Sequence, residues 1–423
     1  MGHVKDLKTG IKYKNTPIGK IPVDWEVTSI EKICNIKRGA SPRPIGDPSF
    51  FSATGRGWIR ISDVTTTYKY LRRTSQYLSE KGVSRSVKVE PGDLIMSICA
   101  TIGKPILLGI EACIHDGFVL FSGLTQKVDS EFLFYLLQKV ENKFTTKGQV
   151  GTQGNLNTGI VKKTILALPP IAEQKKIAEI LTIVDAAIEK TAQVIETTKE
   201  AKKGLMQKLL TRGIGHKKFK KTEIGEIPVE WEVGTCSKIA DVNPKRDLER
   251  GTIYPFVEMA ALDSESHRVK FSKPRKYEGS GTRFQNGDTL FARITPCTEN
   301  GKTAYVDFLK EIKFGHGSTE FIVLGPKENV DSKFIYYCAK WEKVRNIAVS
   351  KMEGTSGRQR VPVRAFLEDI FIAIPPLFEQ KQIAEILSSI DDEIEKESNH
   401  KEQLELLKKG LMQVLLTGKI RVS

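Results

Sequence analysis

Arginine and amide side chains gather in turn-like stretches of this 423-residue sequence. Arg38, Arg43 and Arg60 surround Gly- and Pro-rich segments early in the chain, and Lys245, Arg246 and Arg293 stand in comparable places later. Gln149, Thr152, Gln153 and Asn155 form a second group, matched further on by Ser356, Arg358, Gln359 and Arg360. A guanidinium suits guanine and a carboxamide suits adenine through paired hydrogen bonds in the major groove, and Lys and Arg also hold phosphates. These fourteen residues are the candidate contacts to nucleic acid.

Bond-making chemistry finds no comparable support. Gly301-Lys302-Thr303 lacks the glycine a phosphate loop needs, because position 296 is Pro. Glu311-Ile-Lys313 with Asp288 upstream imitates a nuclease carboxylate set, but such triplets arise by chance in a chain that is 28% charged; Glu200-Ala-Lys202 is another. His115 and His316 fall in what read as corresponding loops, with no acid or cysteine at catalytic spacing. No G-x-G-x-x-G follows a strand, so a methyl-donor pocket is not evident. None of the six cysteines forms a C-x-x-C pair or sits beside a histidine at ligand spacing. No catalytic residue and no metal ligand is assigned.

Composition agrees with a binding role. Lys plus Arg (66) exceeds Asp plus Glu (51), a net charge of +15, which favours a polyanionic partner through counterion release. A hydrophobic fraction of 39% is ordinary for a globular protein, and the length suggests two or more domains. The segment MGHVKDLKTGIKYK has no apolar core and no apolar run approaches a membrane span. A cytoplasmic protein without membrane contact is expected.

The elements that must position the candidate residues come from a duplication. Ile18–Val27 (IGKIPVDWEV) returns as Ile224–Val233 (IGEIPVEWEV), shifted by 206 residues. Pro169–Leu181 returns as Pro375–Leu387 and Lys202–Thr211 as Lys408–Thr417 with the same shift, the last pair alike at nine of ten positions. Between the repeated parts the copies share only scraps, such as Pro91-Gly-Asp-Leu-Ile against Asn286-Gly-Asp-Thr-Leu. Two copies that keep one face and vary another should touch one partner twice and two different things once each. That period is far too long for a solenoid.

Each copy closes on a helix. A Pro-Pro pair opens it, since proline at the first helical position sacrifices no hydrogen bond, and Glu173 or Glu379 then favours the dipole. Ile177, Leu181, Val184, Ile188, Thr191, Ile195, Thr198, Lys202, Leu205 and Leu209 step by fours and threes, as do Ile383 to Leu415 in the second helix. This is an a/d seam, apolar at both ends and mixed in the middle, on a rod of roughly 60 Å. Two matched seams in one chain pair most economically with each other; a twofold relation would set them antiparallel. The remaining parts read as mixed α/β: Trp58–Ser62, Leu94–Ile98, Phe118–Phe121, Thr289–Arg293 and Glu320–Leu324 as strands, Glu131–Gln138 and Ser332–Ala339 as helices.

With these motifs laid out, the chain resembles the specificity subunits of type I restriction-modification enzymes over essentially its whole length. The likeness rests on the IGKIPVDWEV and IGEIPVEWEV segments, WIRISDV, PGDLIMSICATIGKP, GDTLFARITPCTENGKTAYV, GHGSTEFIVL, LPPIAEQKKIAEIL with IPPLFEQKQIAEIL, and GLMQKLLT with GLMQVLLTG. The resemblance implies an α/β (mixed α+β) fold with two target-recognition domains at 1–168 and 214–374. These would be separated by antiparallel coiled-coil helices at 169–213 and 375–423, in an internal pseudo-twofold repeat. It implies a DNA-binding chain that is not itself an enzyme and reads a bipartite asymmetric site. Two methyltransferase subunits and restriction (motor-nuclease) subunits are its implied partners, with methyl donor, ATP and magnesium acting on those partners. A methyltransferase-only complex is the alternative, and a self-sufficient nuclease a lesser one. The polar middle of the second helix, at Glu397 and Lys401, departs from a continuous seam.

Overall fold

The computed structural model describes residues 11–148, 156–355 and 357–422. They divide into two compact units: Met1–Thr191 with Lys401–Ser423, and Ala192–His400. The long helices Ile171–Arg212 and Leu377–Leu415 each contribute one part to each unit.

Unit 1 begins with a hairpin, Tyr13–Thr16 against Gly19–Pro22, turned at Gly19 with φ of 107°. That angle is open to glycine at little cost. Two five-stranded sheets follow. One runs, in spatial order, Asn35–Arg38, Phe118–Ser122, Leu94–Ser97, Pro105–Leu108 and Tyr70–Leu71; the other Phe51–Ser52, Gln76–Leu78, Arg56–Ile59, Ala112–Ile114 and Val87–Val89. Ile59, Ile95, Ile106, Ile114 and Phe118 form a core shared by the two sheets. Helix Ser130–Gly148 is started by Asp129, whose Oδ1 accepts the Phe132 N–H at 2.9 Å.

Unit 2 repeats the plan with four strands per sheet. The orders are Ala240–Val242, Phe321–Pro326, Thr289–Ala292, Thr303–Tyr305, and Lys273–Lys276, Ile253–Val257, Gly315–Gly317, Thr282–Phe284. Its hairpin, Phe219–Thr222 against Gly225–Pro228, turns at Gly225. Helix Ser332–Lys340 is capped by Asp331, which accepts from Phe334 N–H at 2.9 Å. One expected strand is shorter than its apolar pattern: Trp58–Ser62 is strand only to Ile59, and Ile61 opens a short helix. Asp63 caps that helix by accepting the Arg60 N–H at 2.8 Å.

The repeated residues do the same work in each unit. Trp25 and Trp231 are fully buried and donate from Nε1 to Glu173 (3.2 Å) and Glu379 (2.8 Å). Gln174 Nε2 donates to Pro169 O while its Oε1 accepts from Asp129 N–H; Gln380 does both for Pro375 and Asp331. These bonds satisfy backbone groups that a buried helix start would otherwise leave unpaired.

Within each unit the helix segments run antiparallel. In unit 1 Glu173 pairs with Arg421 and Asp185 with Lys408; in unit 2 Ile214 N–H donates to Glu379 and Lys202 pairs with Asp391. Ile177, Ala178 and Leu181 pack with Leu415 and Leu416 in one core, and Met206, Leu209 and Leu210 with Ile383, Ala384 and Leu387 in the other. Each buried leucine contributes about 1.5–3 kcal/mol. The seam lysines are thus paired, Lys408 buried and Lys202 half-buried; Glu397 and Lys401, which interrupt the second seam, are half-buried, and Lys401 meets Glu405 of its own helix. Asp185 accepts from Tyr135 Oη at 2.7 Å and Asp391 from Tyr337 Oη at 2.8 Å.

Candidate nucleic-acid interface

In unit 1 the three predicted arginines converge on one turn. The parallel strands Arg56–Ile59 and Ala112–Ile114 end together, and His115 and Asp116 follow. Arg38 donates from Nε to the Asp116 carbonyl at 2.8 Å, and Arg43 meets the Asp116 carboxylate at 3.1 Å. Ser41 donates to the same carboxylate at 2.6 Å, and Arg60 lies 4.7 Å above the Trp58 ring. Gly39 lets the neighbouring strand pass close: a Cβ there would lie 2.0 Å from the His115 carbonyl oxygen. The Ser41 hydrogen bond, backbone donation and the Arg43 charge hold the Asp116 carboxyl below its usual range, against burial. Burial, with Arg60 nearby, lowers His115, and its Nδ1 accepts the Gly117 N–H at 2.9 Å. Arg38, Cys99, His115, Asp116, Asn157 and Thr158 line a cleft of about 470 Å³.

Unit 2 rebuilds the constellation from other segments. Phe321 faces Ala292 as Phe118 faces Ser97, so the residues just before Phe321 hold the place of Asp116 and Gly117. Glu320 stands there. Arg360 grips its carboxylate from Nε and Nη2 at 2.8–3.0 Å. The Arg293 N–H donates to the Glu320 carbonyl at 2.9 Å, and Thr295 N–H to the Gln359 carbonyl at 3.0 Å. The Arg360 bonds hold Glu320 below its usual range, while burial lowers Arg293. Arg358 and Arg360 are exposed.

Other expectations need correction. Arg246 is no surface contact: one nitrogen sits 2.6 Å from both oxygens of Asp288, with the side chains 10% and 0% exposed. Asp288 also accepts the Gln285 N–H, and burial pushes its carboxyl up to about 6 despite Arg246. Arg293 is only half-exposed, with its Nε buried and unbonded among the described residues. Lys245 is exposed. His115 and His316 do not correspond: His316 faces Phe256 within the parallel pair, where unit 1 sets Cys113 against Trp58. Gln149, Thr152, Gln153, Asn155 and Ser356 lie outside the described residues. The two acids went unseen because they precede their strands by different distances, Asp116 two residues before Phe118 and Glu320 one before Phe321.

One group among the described residues has metal-ligand spacing: His267, Asp392 and Glu395, with ligand atoms within 4.8 Å of one another. Arg268 already meets Asp392 at 3.2 Å and Glu395 at 3.9 Å, so those carboxylates have a counter-charge. No described helix is long and apolar enough to cross a membrane.

The family model described as the type I restriction modification DNA specificity domain matches twice, at residues 22–199 and 228–406. The chain belongs to the type I restriction-modification specificity subunits. It is 31% identical to the putative type I restriction enzyme MjaX specificity subunit of Methanocaldococcus jannaschii over 97% of each chain. It is 30% identical to the MjaVIII specificity subunit of the same organism, over 96% of this chain and 95% of that one. Among solved structures, the S subunit of a type I system from M. genitalium covers 97% of each chain with a TM-score of 0.60 at 13% identity, a likeness of fold. A specificity subunit recognises the DNA target, and the two matched segments take in both acid–arginine turns.

Proposed function

We propose that each unit reads one half of a split, asymmetric site on double-stranded DNA through its acid–arginine turn, and that the paired helices set the spacer between the halves. The observation that carries this reading is the duplicated frame: the same Trp, Glu, Gln and Tyr–Asp–Lys contacts in both units, with unlike side chains at the turn. The repeated surfaces bind two copies of a methyltransferase subunit, and restriction (motor-nuclease) subunits join that assembly. The chain itself is not catalytic; methyl donor, ATP and magnesium serve the partners, and the complex works in the cytoplasm.

Mapping methylated adenines in a host that expresses the chain with its methyltransferase subunit tests the reading. A two-part motif is expected. Inserting one heptad in each long helix should change the spacer and leave both half-sites intact; altered half-sites with the old spacer would contradict it. Purified chain with DNA, magnesium and methyl donor should leave the DNA unchanged. Affinity should fall steeply with salt, as several phosphate contacts require.

A further inference from the structure

The acids are the unexpected part of these turns. A surface that meets phosphates repels a carboxylate, so an acid placed among the contact arginines needs a reason. Folding supplies only part of one: the pair of Asp116 (41% exposed) with Arg43 (69%) contributes little stability, whereas the two-nitrogen grip of Arg360 (44%) on Glu320 (23%) also steadies its turn. A shared scaffold does not supply the rest. In unit 1 the arginines precede the acid in sequence, at 38 and 43; in unit 2 the gripping arginine follows it, at 360. Two units that share little sequence here have reached the same grouping by different routes.

Chemistry supplies a reason. An ionised carboxylate only accepts hydrogen bonds, and the major groove offers donors solely at the exocyclic amino groups, N4 of cytosine and N6 of adenine. An arginine held on the carboxylate before binding neutralises it during approach and can then turn to a phosphate or a guanine. We infer that Asp116 and Glu320 are base-reading acids, each accepting from the amino group of one cytosine or adenine in its own half-site. This rests on the proposed reading of DNA by the two turns.

The experiment is selection of duplex DNA from a randomised pool by the full chain, alone and with its methyltransferase subunit. Wild type is compared with the near-isosteric Asp116→Asn and Glu320→Gln, with both alanine variants, and with Arg43→Ala. Each acid variant should lose discrimination at one amino-bearing position of one half-site, by about 5- to 150-fold, with the other half-site unchanged. The base lost shows whether cytosine or adenine was read. Arg43→Ala should weaken binding and keep the base at the Asp116 position. Acid variants that weaken all sequences equally, or that select the wild-type sequences, overturn the inference while wild-type selection still upholds the two-turn reading. A wild type that selects no sequence removes that reading itself. Thermal melting separates misfolding from lost discrimination, and the isosteric variants decide the matter if an alanine variant does not fold.

Discussion

In unit 1 the seam lysine Lys408 reaches Asp185 at 2.9 Å and also Tyr68 and Gln138, and Asp185 holds two phenols, Tyr68 and Tyr135. In unit 2 Lys202 reaches Asp391 at 2.5 Å, and one phenol, Tyr337, donates to that acid. Lysine and aspartate occupy the same register in both, though the surroundings differ. At the turns the reverse holds: a similar charge grouping is drawn from different places in the chain. Where the units must offer the same face, the residue is kept; where they must read different bases, only the kind of chemistry is kept. The docking of sheet to helix lies between these cases. Lys69, whose carbonyl accepts from Leu107 N–H, donates to Thr182; His267, whose carbonyl accepts from Tyr305 N–H, faces Asp392.

The largest test of this comparison is removal of the seam lysines. Lys202→Ala leaves Asp391 buried with a single phenol, and a loss of about 3–5 kcal/mol is expected, with a smaller loss for Lys408→Ala because Asp185 keeps two. Hydrogen exchange resolved by segment reads each unit separately, and equal losses would erase the distinction.

Next comes Asp288, whose counterpart by register, Asp93, accepts the Glu90 N–H and pairs with no arginine among the described residues. Because burial raises its folded value to about 6, above the ordinary carboxylate value of 3.8, the folded state holds this proton more tightly. The sign follows: this carboxyl favours folding below about pH 4, and the advantage fades as pH rises through about 6. A loss of about 2–3 kcal/mol in unit 2 is expected over that range. Asp288→Asn should flatten the profile; an unchanged slope would assign it to other groups.

Gly39→Ala should cost about 1–3 kcal/mol in unit 1, because the new methyl must displace the His115 carbonyl. Exchange should rise around 112–118 and leave unit 2 unaltered. The smallest effect is expected for Arg43→Ala, under about 1 kcal/mol by thermal melting, since its pair with Asp116 is exposed. A large loss there would make the turn a structural device.

The frame was legible in the sequence because it is local or repeated. A 3.6-residue apolar period, a Pro-Pro start and a twice-used IPVxWEV segment all show themselves without a partner in view. Lys202 and Lys408 could be seen at the seam, but not what they meet, because their partners Asp391 and Asp185 lie far along the chain. Arg246 resembled a surface cation because its buried partner Asp288 follows only after three strands of the other sheet. Arg38, Arg43 and Arg60 were legible as a group; the residue that Arg38 and Arg43 meet, Asp116, was not, since a single aspartate before a strand carries no periodic signal.

The final stretch of chain belongs to the unit built from its beginning. Arg421 binds Asp24 and Glu173, and Gly418 O accepts from Tyr13. A premature stop near residue 400 would therefore spare the unit encoded just upstream and open the one encoded first. For the same reason, a hybrid gene spliced between Thr191 and Ala192 would carry the second unit whole from one parent but leave the first with a helix half from each. Its success would depend on whether the aspartate at 185 still met the lysine at 408.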